Sequence, residues 1–209
     1  MKRSWFFCFA LLVGVVASAQ QPYSTSSGPS VVVSIPNTQH KVRADDICAV
    51  DFGNIRLERN AKWAAQLSKG KYDHQEKADG FQSVSLDHVH CFDVQDGVPR
   101  YAVVESTWSY GYGSSNNDCV VQVFTLRSGY PVVVQQFDFD CHALSTGSTF
   151  DSKSRKLTIR ARTDDDSPHC CARTLDVVSY VWHDNKFKRR SFRRIPAPVE
   201  KGTDGLELH

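Results

Sequence analysis

The chain has 209 residues, 41% of them hydrophobic and 23% charged, with 25 Lys and Arg against 23 Asp and Glu. That balance excludes a disordered or collagen-like chain and leaves enough length for one core-burying domain or two small ones. A formal charge of +2 provides no global drive toward nucleic acid or a membrane surface.

Residues 1–19 read as a signal peptide. Lys2 and Arg3 precede an almost unbroken apolar run from Trp5 to Val16, and Ala17-Ser18-Ala19 is the small-x-small pattern that signal peptidase cleaves. The run is shorter than the ~20 residues of a membrane-spanning helix, and no later segment is apolar for long enough. Cys8 lies inside the run and not directly after the cleavage pattern, which argues against a lipid anchor. Removing Lys2 and Arg3 with the leader leaves 23 charges of each sign. The expected location is secreted or periplasmic, without a membrane span.

Residues 20–43 are rich in Ser, Thr, Pro and Gln and read as a flexible N-terminal segment, with Val31 to Ile35 as one edge strand. A single disulfide-stabilised domain is expected over 44–196, followed by a flexible tail over 197–209. The best helix candidate is Glu58 to Leu67, with Ala61, Ala64 and Ala65, although Trp63 to Leu67 fits a strand equally well. Turn chemistry at Ser68-Lys69-Gly70, Ser128-Gly129 and Asp184-Asn185 separates runs with strand periodicity. Leu157, Ile159 and Ala161 alternate with Lys156, Thr158 and Arg160, one face dry and one wet. Val120 to Leu126, Val132 to Val134 and Val177 to Trp182 are apolar on both faces, as central strands are. The fold class expected is therefore all-β: antiparallel hairpin and meander sheets, sandwich-like or propeller-blade-like, with little helix.

A weak repeat runs through this pattern. Each of the three turns leads to an aromatic residue, Tyr72, Tyr130 and Phe187, and Leu86 with Phe92-Asp93 recurs as Leu144 with Phe150-Asp151. Two units and part of a third can be written, fewer than the ~4 blades that close a propeller.

Six cysteines follow the leader: Cys48, Cys91, Cys119, Cys141, Cys170 and Cys171. An even number in an exported chain reads as structural disulfides. Cys119 and Cys141 bracket the hairpin that turns at Ser128-Gly129, so the fold itself brings them together. Cys48 and Cys91 stand near the starts of expected strands. Adjacent Cys170 and Cys171 have Cα atoms ~3.8 Å apart, below the ~4.4 Å lower end for disulfides. They either form a strained vicinal bond or point to opposite faces toward different partners.

Asp166-Ser167-Pro168-His169-Cys170-Cys171, ahead of Leu175 to Trp182 and Asp184-Asn185-Lys186-Phe187, is similar to secreted bacterial proteins with a His-Cys-Cys-Pro-like motif before an aromatic-rich final hairpin. Val50-Asp51-Phe52 and Gly70-Lys71-Tyr72 resemble the start of those domains. Cys91 to Gly97 sits where many of them have an acidic Gly-rich turn before a strand like Tyr101-Ala102-Val103-Val104. Ala172-Arg173 replaces the usual Pro-Ser, and the acidic turn is depleted, which counts against calcium. The resemblance implies an all-β extracytoplasmic domain and supplies no catalytic residues.

Other motifs suggest chemistry directly. His88-Val89-His90-Cys91 places two imidazoles on one strand face, a geometry that copper and zinc use, and His142 and His169 also neighbour cysteines. A metal- or redox-responsive protein using His88, His90 and Cys170-Cys171 is one alternative. Asp164-Asp165-Asp166 lacks the ligand spacing and Gly of a calcium loop and reads as solvated. Neither Gly-x-Ser-x-Gly nor His-Glu-x-x-His is present, so a small hydrolase, a further alternative, would carry no recognisable motif. Tyr110 and Tyr112 sit in a loop able to stack on carbohydrate or protein. Phe187 to Arg194 places Arg189 and Arg193 on one strand face and Lys188, Arg190 and Arg194 on the other, which suits an edge strand or an anionic-polymer site. The leading expectation is a monomeric, non-catalytic binding or structural module of the cell envelope or exterior. It would take no cofactor, and its partner would be a protein or polysaccharide and not nucleic acid. Tyr110, Tyr112, Arg189 and Arg193 are the candidate binding residues.

Overall fold

A computed structural model of the chain describes residues 30–35, 40–60, 63–76, 80–110, 117–141, 145–163 and 174–198. Four turns set its topology. Lys69-Gly70, Asp96-Gly97, Ser128-Gly129 and Asp184-Asn185 each hold two consecutive residues at positive φ, between 52° and 83°. Such turns twist in the sense that paired strands require: Asp96-Gly97, Ser128-Gly129 and Asp184-Asn185 each close a tight hairpin, and Lys69-Gly70 closes the single Ser68–Lys71 bridge.

The strands in chain order are β1 (Val32–Ser34), β2 (Arg56–Glu58), β3 (Ala64–Gln66), β4 (Lys71–Glu76), β5 (Gly80–Gln95), β6 (Val98–Tyr110), β7 (Asn117–Arg127), β8 (Tyr130–Asp140), β9 (Gly147–Asp151), β10 (Lys156–Arg162), β11 (Thr174–His183) and β12 (Lys186–Pro196). One sheet has the order β1-β8-β7-β6-β5-β4, a second β12-β11-β10-β9, and β2-β3 form a small hairpin. The pairings are antiparallel. The helical content of the described residues is two 3-10 turns, Ile47–Ala49 and Phe52–Asn54. The all-β meander class expected from the sequence is present, with the two large sheets sharing one core as a sandwich.

The central strands of the six-stranded sheet are buried on both faces, which explains the apolar runs Val120 to Leu126 and Val132 to Val134; Val177 to Trp182 belongs to β11 of the second sheet. On one face Val103, Val121, Val123, Phe137 and Phe139 meet Leu157, Ile159, Ala161, Val178 and Tyr180 of the second sheet. On the other, Ala102, Val104, Trp108, Val120 and Phe124 meet Ile47, Phe52, Ile55, Leu57 and Leu67 from the 3-10 turns and the β2-β3 hairpin. The segment Glu58 to Leu67 is therefore a hairpin and not the helix its alanines favour. Leu57, fully buried, stands opposite Ala65, also fully buried, and the small side chain lets the hairpin lie close on the sheet. Tertiary burial outweighs the few tenths of a kcal/mol per residue at stake in helix propensity.

Phe92, Phe150 and Phe187 of the repeat meet in the inter-sheet core. Phe92 and Phe150 have ring centroids 5.0 Å apart, and Trp182 lies 5.0 Å from both Phe92 and Phe187. Tyr72 packs instead on the opposite face of the large sheet. The similarity thus reflects hairpins feeding a common core.

Cys119 bonds Cys141 across β7 and the end of β8, and Cys48 bonds Cys91. Cys91 lies in the middle of β5 and Cys48 in a 3-10 turn, so the second bond joins the outer layer to the large sheet; neither residue starts a strand. Cys170 and Cys171 lie outside the described residues, as do residues 1–19 and 199–209. Parts of the 20–43 segment are fixed to the sheet. β1 pairs with β8, Val31 is buried, His40 N–H donates to Pro131 O (3.0 Å) and Ala44 N–H to Gly129 O (2.7 Å).

A single buried amide joins the two sheets. A bulge at Val134 lets Val133 face one core and Gln135 the other. Gln135 Nε2 donates to Phe187 O (3.0 Å), and Phe187 N–H donates to Gln135 Oε1 (2.7 Å). Gln135→Ala leaves both backbone groups of Phe187 without these bonds, and urea denaturation should show a loss of about 2–4 kcal/mol. Thr125→Ala, which removes an exposed hydrogen bond to Arg100 O, should cost less than about 1 kcal/mol in the same assay.

His40 gives the fold a pH dependence. Its ring is buried 5.4 Å from Phe124, and this desolvation holds its pKa below the ordinary 6.5; Glu58 opposes the shift and Arg56 adds to it. Below pH 6.5 the unfolded chain takes up a proton that the folded chain resists. Stability contributed by neutral His40 is present above 6.5 and is lost as pH falls toward the depressed folded value. The slope should approach ~1.4 kcal/mol per pH unit in that window. His40→Phe should flatten it in urea titrations between neutral and mildly acidic pH.

Candidate functional site

The second sheet keeps one face in the core and the other in water. On β10, Leu157, Ile159 and Ala161 point inward, leaving Lys156, Thr158 and Arg160 outside. On β11 Val178, Tyr180 and Trp182 are in the core, so Val177, Ser179 and Val181 line the outer face. Phe150 of β9 is inward and Thr149 outward.

Strict alternation would put Arg189 and Arg193 of β12 together on one face, as the sequence predicts. A bulge between Ser179 and Tyr180 prevents it. Tyr180 stands opposite Arg189 and Ser179 opposite Ser191, so Arg190 is the extra residue and the parity changes there. Arg193, opposite Val177, is on the outer face; Arg189, opposite the inward Tyr180, is on the other. Arg194 is opposite Asp176, whose side chain is fully buried, and its guanidinium makes bonds of 2.8 and 3.1 Å to the two carboxylate oxygens. Ser30 N–H donates to the same carboxylate.

With this register the outer face is ordered in rows. Thr149, Thr158, Ser179 and Ser191 stand directly opposite one another and form a line of hydroxyls across all four strands. The next row is Gly147, Arg160, Val177 and Arg193; on the other side lie Asp151, Lys156, Val181 and Lys188. At ~4.8 Å between strands, the hydroxyl line is about 14 Å long. The groove has a volume of about 430 Å³, with buried Val177 and Ser179 as its floor and exposed Lys156, Arg160 and Arg193 around it.

The charges on this face differ in how they are held. Lys188 is paired with Asp184, which also accepts from His183, and Asp184 is held below the usual carboxylate range by these two contacts, Lys188 first. Among the described residues, Lys156, Arg160 and Arg193 have no carboxylate within ion-pair distance. Asp151, opposite Lys156, is also held low, by the Ser154 hydroxyl and then the N–H groups of Lys153 and Ser154. It bounds the basic groove with a fixed negative charge.

The remaining candidates do not converge in this way. His88 and His90 do share a face of β5, with ring centroids 5.8 Å apart. Among the described residues no three His, Cys, Asp or Glu side chains come together as a metal site, and Cys91 is held in a disulfide. A cleft of about 220 Å³ contains Asp87, His88, Glu105 and Ser148. In it, the Ser148 hydroxyl donates to the buried carboxylate of Glu105 (2.7 Å). Tyr110 ends β6; Tyr112, His142, His169 and Asp164 to Asp166 lie outside the described residues.

Of the candidate binding residues read from the sequence, Arg193 lies on this outer face; Lys156, Arg160 and the four hydroxyls beside it were not among them. The alternation of Lys156, Thr158 and Arg160 with core residues was visible, but their alignment with Thr149, Ser179 and Ser191 depends on cross-strand register. Arg194→Ala tests that register. It strips Asp176 of its cation and should cost about 2–3 kcal/mol in urea, below the 3–5 of a fully buried pair because Arg194 is partly exposed. Arg193→Ala should stay within about 0.5 kcal/mol of the parent. No family model, curated protein or solved structure matches the chain.

Proposed function

We propose that the chain is a non-catalytic binding module of the cell envelope or exterior, and that it takes an extended polysaccharide on the outer face of the β9–β12 sheet. The line of four hydroxyls carries this reading. Each hydroxyl both donates and accepts, and together they present a regular hydrogen-bonding edge to a chain that itself carries hydroxyls. The face is open and linear, unlike a recess that closes around one reacting bond. One copy of the domain suffices, because the whole line belongs to one sheet.

Two features support export. Cys48–Cys91 and Cys119–Cys141 are disulfides, which persist in oxidising compartments. No helix among the described residues is long and apolar enough to cross a membrane. The leader features of residues 1–19 agree with release to the periplasm or the exterior.

Calorimetric titration of the full chain with linear polysaccharides tests the reading. Binding should fall by about ten- to thirty-fold in Thr158→Val/Ser179→Ala, the loss of two hydrogen bonds of ~1 kcal/mol each, with little change in Tm. The proposal fails when the parent binds no polysaccharide, or when the double variant binds as the parent does.

A further inference from the structure

We infer that the polysaccharide is acidic, and that Lys156, Arg160 and Arg193 recognise its carboxylate or sulfate groups on either side of the hydroxyl line; this rests on the binding reading above. Several other guanidinium groups are engaged by the protein's own carboxylates. Arg59 is held by Asp118 (2.6 Å) and Asp138 (2.7 Å), Arg155 by Asp93 (2.9 Å) and Arg194 by Asp176. Lys156, Arg160 and Arg193 surround one open groove together, and among the described residues no carboxylate lies within ion-pair distance of them.

Their placement suits a chain that crosses the strands. Arg160 and Arg193 occupy one row, two strands apart and thus about 10 Å from each other. Between them lies only Val177, a low apolar floor over which a sugar backbone can pass without losing a hydrogen bond. Lys156 is four residues along β10 from Arg160, about 13–14 Å away, on the far side of Thr158. Asp151 beside it repels an anionic chain from the β9 corner, so the acidic groups gather on the Arg160–Arg193 side. A nucleic acid is disfavoured because the described residues of this face include no aromatic ring on which a base could stack.

The test compares polygalacturonate, dextran sulfate, unmodified dextran and an oligothymidylate as ligands for the full chain at low and high salt. Polygalacturonate or dextran sulfate, whichever matches the natural charged group, should bind at least thirty-fold more tightly than dextran at low salt. Its affinity should weaken with salt by a slope of about one per cation engaged. Arg160→Ala and Arg193→Ala should each lower that affinity about ten-fold, reduce the salt slope by about one and leave dextran binding and Tm unchanged. Arg189→Ala, on the opposite face, should change nothing. Equal, salt-insensitive binding of acidic and neutral chains overturns the inference and leaves the polysaccharide reading standing. No binding of any polysaccharide overturns both. Oligothymidylate bound through Arg160 and Arg193 as tightly as the acidic glycans overturns the assignment to polysaccharide.

Discussion

A sheet with two apolar faces cannot meet water on either, and this constraint organises the whole molecule. In β6 and β7 neighbouring residues such as Ala102 and Val103, or Val120 and Val121, point to opposite sides and are all fully buried. Each face therefore requires its own covering layer. The β9–β12 meander supplies one. The other consists of two 3-10 turns and a hairpin of three-residue strands, elements too short to be stable alone. The outer surface of a covering layer is then left wet, and in β9–β12 that surface carries the hydroxyl and basic rows.

The two covering layers are secured differently, according to what each can bury. The layer of short elements is tied to β5 by Cys48–Cys91, which closes 43 residues. On loop entropy such a bond contributes roughly 4 kcal/mol, a large part of the stability of a small domain. Among the described residues the meander has no covalent tie to the large sheet. It brings Leu157, Ile159, Val178, Tyr180, Trp182 and Phe187 into the core, and Gln135 supplies a buried pair of amide bonds that fixes its position along β8. Hydrophobic burial is non-directional, whereas a pair of opposed amide bonds is not. Gln135 thus determines where the meander sits, and the aromatic cluster determines how firmly.

Local features were legible in the sequence and relative placements were not. The turns at Lys69-Gly70, Ser128-Gly129 and Asp184-Asn185 could be read because positive φ restricts residue choice. The pairing of Cys119 with Cys141 followed from one hairpin, and the edge strand near Val31 to Ile35 from composition. The hairpin around Trp63 was obscured because much of its burial comes from distant strands, β6 to β8, which outvote alanine's helical preference. The faces of Arg189 and Arg193 were misassigned for a sharper reason. A one-residue bulge inverts every later side chain, and nothing in Lys188 to Arg194 announces it. The hydroxyl line was invisible for the same cause, since it takes one residue from each of four strands.

The bulge that defeated the sequence reading also builds the proposed site. Without it, Arg193 would lie on the face of Tyr180 and Arg194 on that of Val177, and the buried carboxylate of Asp176 would lose the guanidinium that compensates it. One extra residue at Arg190 delivers one arginine inward to a structural ion pair and the next outward to the groove. Rigidity follows from the same arrangement. Ser179 is fixed between Val178 and Tyr180, and Thr158 between Leu157 and Ile159, each flanked by side chains locked in the core. Hydroxyls held this way lose little conformational freedom when they bind, so they set direction and register. The arginines and lysine around them are long and solvated, which suits attraction and encounter more than fine positioning.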